Sequence, residues 1–229
     1  MTNAYPQPLV SVDVVPMRYN YATHAVELIL GRRIYEPAID RLALPGVLVG
    51  HEHLDAAAMR ALRVKIGLPA SLVPLTRNVG VFDGDLRDER GPTISIAKIA
   101  LLPPVRDDGT AVEYDVDPAR HEAASLDRTG LPFDHDTIVS EAARALLLQL
   151  FVDRDTTHAL LPHPFSTTEA QAVVDVLAER AATVKALAPL KAISLRPRFL
   201  DGTGWLSQIP SAPGTSGGRG RPTARWGWV

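Results

Sequence analysis

The chain offers few side chains for bond-making chemistry and many for holding an anion. Without cysteine there is no thiolate nucleophile, thiolate metal site or disulfide, which fits a reducing compartment. No set of serine, histidine and aspartate has a spacing that suggests nucleophilic catalysis. His51 and His53 flank Glu52, but two histidines on a loop with one carboxylate make a thin metal site. Cations are distributed unevenly. Net charge is -2 overall, yet residues 165–229 carry +4 and residues 1–164 carry -6. A basic C-terminal portion on an acidic partner is expected where one part of a chain approaches a polyanion, although a basic tail that only aids solubility gives the same count.

Hydrophobic content of 46% over 229 residues fills a core in each of two domains. Residues 9–15 (LVSVDVV), 26–30 (VELIL), 72–82 and 93–101 (TISIAKIAL) read as strands. Between the second and third, Leu54, Ala58, Ala61, Leu62 and Ile66 recur at helical spacing before Gly67, a natural stop. After a polar stretch over 107–130, residues 134–152 are helical, with Ile138, Ala142, Ala145, Leu146 and Leu150 on one side. His135, between Asp134 and Asp136, belongs to that helix's N-terminus, where carboxylates oppose the dipole. Pro162 and Pro164 form a stiff joint, and Ser166-Thr167-Thr168-Glu169 supplies capping residues for a further helix over 170–177. Past Leu206 the composition turns to Pro, Ser and Gly. The expected architecture is α/β in two domains, 1–155 and 156–229. No apolar run reaches the ~20 residues of a membrane span, and no secretory leader is visible, so the expected location is cytoplasmic.

Gly46, Glu52, Arg60, Leu62, Gly67 and Leu68 stand at the spacing of the Nudix box, which this stretch resembles. The family's three box glutamates are replaced by Ala61, Val64 and Lys65, at i, i+3 and i+4 on one helical face. Nudix hydrolases hold divalent cations on those carboxylates. Alanine and valine cannot ligate a metal and lysine repels one, so the resemblance implies the fold without metal-dependent hydrolysis, and no catalytic residue, metal or cofactor is expected.

The layout as a whole resembles the Nudix-related transcriptional regulators of NAD metabolism, the NrtR type. The matching pieces are the arginine-rich 86–91 loop before a strand, Phe133-Asp134-His135, Leu160-Leu161-Pro162 with Phe165-Ser166-Thr167, and Gly220-Arg221-Pro222. The resemblance implies a Nudix α/β/α sandwich followed by a C-terminal winged helix-turn-helix, a homodimer, an operator of double-stranded DNA and an effector, ADP-ribose or a related NAD metabolite. For the effector it points to Arg87 and Arg90 as bidentate partners of the diphosphate, to Lys65 as replacement for metal charge, and to Asp88 and Glu52 beside them. Arg60 is expected to tie its helix to the adjacent loop. For DNA it points to Arg196 and Arg198 in a recognition helix interrupted by Pro197, with Lys191 near it. Arg219, Arg221 and Arg225 suit the wing, and Thr167 and Thr168 a phosphate or a helix cap. A divergent hydrolase of ADP-ribose-like compounds and a sugar-responsive regulator of the same architecture are the alternatives.

Overall fold

The computed structural model describes residues 7–84, 87–88, 91–106, 108–115, 117–182, 204–210 and 224–229. Its centre is β1 (Leu9–Asn20), a strand buried on both faces. Val12 and Val14 point to one face; Val15, Met17 and Tyr19 point to the other. Period-2 alternation thus feeds two cores from one strand. β2 (Ala25–Arg32) and β4 (Gly46–Leu48) run antiparallel to opposite ends of β1, while β6 (Thr93–Leu101) runs parallel along nearly its whole length. β3 (Leu42–Ala43) and β7 (His121–Ser125) pair with β2, and β5 (Leu75–Phe82) with β6.

Helix α1 (Leu54–Ile66) closes one face, burying Ala57, Ala58, Ala61, Leu62 and Ile66 against Val12, Val14 and Ile29. It stops where the sequence predicts, at Gly67, whose φ of 66° is the left-handed conformation that glycine adopts without Cβ strain. On the other face lie α2 (His135–Gln149), α3 (Arg154–Leu160) and α4 (Thr167–Ala181). α4 opens with the capping box legible in the sequence. Ser166 Oγ accepts from the Glu169 N–H at 3.1 Å, and the Ser166 N–H donates to Glu169 Oε2 at 2.6 Å. A three-stranded sheet, β8 (Phe165–Ser166), β10 (Arg225–Trp228) and β9 (Leu206–Ile209) in spatial order, follows. The boundary expected after residue 155 falls inside α3, and core residues from both sides of it, such as Leu146 and Leu177, join one apolar cluster.

Two further elements lie where the sequence shows no period. α3 has seven residues, started by Asp153, which accepts from the Thr156 N–H at 2.8 Å. β7 lies within the polar stretch and is held by its pairing with β2 rather than by its own pattern.

The first turn of α2 is tied to three places. Asp134 accepts two hydrogen bonds from the Arg87 guanidinium, at 2.8 and 2.9 Å. His135 is buried, and its Nδ1 accepts the Leu44 N–H at 3.0 Å. Asp136 Oδ2 accepts the N–H groups of Gly130 and Leu131, while Oδ1 faces Arg180 of α4 at 3.0 Å. Burial pushes the His135 imidazole below its ordinary value, although the Asp13 and Asp134 carboxylates oppose that shift.

Two predictions follow from these contacts. Gly46 sits opposite Asp13 in the β1–β4 register, and a Cβ there would fall on Oδ1 of Asp13, whose carboxylate Ser95 and Arg87 hold in place through Oδ2. Gly46→Ala is expected to lower stability by roughly 1–3 kcal/mol, read by urea unfolding; an unchanged midpoint would contradict the packing. For His135 the folded value lies below the unfolded value of about 6.5, so the unfolded chain binds the extra proton. Its contribution is complete above that value and is lost as pH falls towards the folded one, with a slope of at most about 1.4 kcal/mol per pH unit. The difference in unfolding free energy between the parent and His135→Gln should therefore shrink from pH 7.5 to 5.5.

Candidate ligand-binding site

Between Ser11 and Leu48 the β1–β4 pair diverges from β2, and a cavity of about 330 Å3 opens at the fork. Its walls come from β1 (Asp13), the end of β2 with the residues after it (Arg32 to Glu36), the β3–β4 turn, α1 (Arg60, Lys65), Arg87 with Asp88, Arg120, and the start of α2. Among the described residues six cationic side chains line it, Arg32, Arg33, Arg60, Lys65, Arg87 and Arg120, against three acidic ones, Asp13, Glu36 and Asp88. Such an excess favours an anionic occupant.

Of the residues expected to meet a ligand, Lys65, Arg87 and Asp88 line this cavity; Arg90 lies outside the described residues. Lys65 reaches it from the last turn of α1. The three box positions do not share an environment. Ala61 is fully buried under the sheet and Val64 faces solvent, so only Lys65 turns to the cavity. Helix packing explains this, because the sheet claims the Ala61 side of the helix and the cavity begins at its edge.

Arg87 is only 6% exposed and engages two carboxylates, Asp134 bidentately and Asp13 at 3.2 Å. Burial works against its charge, but the two carboxylates outweigh that penalty and hold the guanidinium protonated. In this state its bidentate partner is thus Asp134, where the sequence suggests a diphosphate. Asp13 also accepts from Ser95 Oγ at 2.6 Å. Asp88 is buried.

Glu52 is not in the cavity wall. Its carboxylate takes the Arg60 guanidinium, which also donates to the Leu48 carbonyl at 2.8 Å, so Arg60 ties α1 to the preceding loop as expected. That hydrogen bond keeps Glu52 below the usual carboxylate range. Among the described residues no group of three His, Asp or Glu stands together in a way that could hold a metal ion.

Several wall residues were missed by sequence reasoning. Arg32 donates to the carbonyls of Ala119 and Asp40, and Arg33 to those of Pro37 and Tyr35 while lying 4.8 Å from the centre of the Phe133 ring. Phe133 has φ of 61°, unusual for a side chain of its size, and lines the cavity beside His135. Arg120 ends a 3-10 turn (Pro118–Arg120) fixed by Asp117, and its Nε is buried with no hydrogen-bond partner among the described residues. The Arg32-Arg33 pair at the end of β2 was a signal available in the sequence.

Among the residues expected at DNA, Lys191, Arg196, Arg198, Arg219 and Arg221 lie outside the described residues. Thr167 is the first residue of α4, and its hydroxyl accepts the Trp226 indole N–H at 3.3 Å. Thr168 is exposed, and Arg225 is exposed on β10 with its guanidinium donating to the Pro164 carbonyl at 3.1 Å. Trp226 is buried, and Trp228 stacks on Trp205 with ring centres 5.7 Å apart. No helix among the described residues is long and apolar enough to cross a membrane.

No family model matches the sequence, and no curated protein does. Solved structures do. The crystal structure of Shewanella oneidensis NrtR aligns over 96% of this chain and 94% of its own, with TM-score 0.65 and 21% identity. The same protein complexed with a 27mer DNA aligns over 96% and 93%, with TM-score 0.63 and 21% identity. Its NUDIX domain complexed with ADP ribose aligns over 64% of this chain and 93% of its own, with TM-score 0.51 and 21% identity. The architecture expected from the sequence is thereby met: the chain has the fold of a Nudix α/β/α sandwich continued by a C-terminal winged-helix unit.

Proposed function

We propose that this chain is a DNA-binding transcriptional regulator, a repressor of NAD-metabolism genes, whose Nudix unit binds ADP-ribose or a related NAD metabolite without hydrolysing it. One observation carries the reading of the Nudix unit. Where the family's hydrolases keep carboxylates for a metal, this cavity presents Lys65 among five arginines, and the remaining box carboxylate, Glu52, is committed to Arg60. A diphosphate placed there meets ammonium and guanidinium groups in the role of the cation. The reading of the C-terminal unit is supported by the structural likeness to a protein solved with DNA and with ADP ribose, and by the +4 charge of residues 165–229. The protein acts as a homodimer that reads two half-sites in the cytoplasm. Lys191, Arg196 and Arg198 serve the major groove. Thr167, Thr168, Arg219, Arg221 and Arg225 serve the backbone and wing.

Calorimetry of ADP-ribose binding to the full chain tests the sensor. Lys65→Glu is expected to weaken binding about tenfold or more, equivalent to about 1.4 kcal/mol, because it puts a carboxylate where the ammonium stood; unchanged affinity would contradict the site. Mg2+-dependent turnover of ADP-ribose, abolished by Glu52→Gln, would instead establish the hydrolase. Stabilisation by pentoses and not by ADP-ribose would establish the sugar-responsive regulator.

The DNA function is tested by selecting duplexes from a random-sequence library with the full chain. Arg196→Ala and Arg221→Ala should each bind the selected duplex at least about tenfold more weakly at near-physiological salt, and Arg221→Ala should flatten the salt dependence. Parental affinity in both would overturn the placement.

A further inference from the structure

Arg180 is the most deeply buried cation among the described residues, 2% exposed, at the far end of α4. Its guanidinium does not pack passively. One terminal nitrogen donates to the Arg128 carbonyl at 3.0 Å, and the other to both the carbonyl and Oδ1 of Asp136, each at 3.0 Å. Asp136 is in the first turn of α2, and His135 immediately before it lines the cavity. Asp134 holds Arg87, a cavity-lining side chain, through two hydrogen bonds. A continuous polar chain therefore runs from the cavity wall through Arg87, Asp134, the backbone of one helical turn and Asp136 to Arg180.

Val139 and Ala143 of α2 and Val173 and Leu177 of α4 also belong to one apolar cluster. Apolar surfaces of this kind tolerate small sliding, whereas hydrogen bonds of a buried guanidinium lose their geometry within less than an ångström. Arg180 is thus the point at which a displacement of the α2 N-terminus has to be answered by α4. Lys191, Arg196 and Arg198 follow it by 11 to 18 residues in the sequence.

We propose that the Asp136–Arg180 contact transmits ligand occupancy of the Nudix cavity to the C-terminal unit. The proposal rests on the regulator reading above and specifies its coupling. An anionic ligand in the cavity competes with Asp134 for Arg87 and repels the Asp134 and Asp13 carboxylates. Either effect weakens the tie that fixes the start of α2. Asp136 moves with that turn, and α4 follows through Arg180. Arg180 is a positioning residue here. It is not among the described residues that line the cavity.

The test compares the DNA affinity of the full chain with and without saturating ADP-ribose, using the duplex selected from the random-sequence library, for the parent, Arg180→Met, Arg180→Lys and Asp136→Asn. In the parent, ADP-ribose is expected to change the dissociation constant for DNA about fivefold or more, and by linkage DNA changes that for ADP-ribose by the same factor. In Arg180→Met that ratio should fall to within about twofold of unity, while ADP-ribose affinity in the absence of DNA stays within about threefold of the parent. If loss of the buried cation prevents folding of Arg180→Met, then Arg180→Lys and Asp136→Asn, which keep the charge or the shape, should show the same reduced ratio. A parental ratio in the folded variants overturns the proposal, and so does a parent that binds both ligands with a ratio of unity. A parent that binds neither DNA nor ADP-ribose overturns the regulator reading itself, and the proposal with it.

Discussion

The buried charge cluster of Asp13, Arg87 and Asp134 is the constraint on which the rest of the structure depends. These three polar side chains, with Arg87 and Asp13 almost shut off from solvent and Asp134 partly so, are matched in position: Arg87 forks onto Asp134 and touches Asp13, and Ser95 supplies Asp13 with a second donor. Removing one partner would strand the others, at a cost of about 3–5 kcal/mol for a buried pair. Several local features become necessary once this cluster is in place. Residue 46 can carry no Cβ, because Asp13 occupies that space. α2 must begin beside β1, and its N-cap residue, Asp134, makes no side-chain cap to its own helix, having given its carboxylate to Arg87.

That arrangement has a chemical consequence for the cavity beside it. Asp13 is matched by Arg87 and Glu52 by Arg60, and against Glu36 and Asp88 the described wall also carries Arg32, Arg33, Lys65 and Arg120, an excess of positive charge. A metal-dependent site needs the reverse, uncommitted carboxylates converging on one point. The same polypeptide architecture thus suits two different ways of holding a diphosphate, by a carboxylate-bound cation or by the cations of the chain. The proposed function places this chain in the second group, on the replacement of box acids by Ala61, Val64 and Lys65, of which Lys65 faces the cavity.

Much of the fold was legible because it rests on local signals. The alternation in residues 9–15, the helical spacing from Leu54 to Ile66 ended by Gly67, and the Ser166–Glu169 box each announce an element without help from the rest of the chain. α3 and β7 were not legible: seven residues show too little of a helical period, and β7 is a strand because β2 offers it an edge. The site was legible only in part for a related reason. Arg32, Arg33, Phe133 and Arg120 converge from separate segments, and nothing local marks them as neighbours. Arg180 reads in the sequence as an ordinary surface cation of an amphipathic helix, and its burial depends on Asp136 and the Arg128 carbonyl arriving from more than forty residues away. Asp13 was open to notice as an acid amid six apolar or small neighbours, a polar residue that a buried strand keeps only with partners.

The central claim is that the chain's own cations, and not a metal, hold the anionic ligand in the Nudix cavity. It is tested most directly by measuring the affinity of the full chain for ADP-ribose from EDTA to millimolar Mg2+ at constant ionic strength. The account predicts an affinity that is already complete in EDTA and stays level or declines as Mg2+ shields the diphosphate. An affinity that appears only on adding Mg2+, or rises steadily with it, would contradict it.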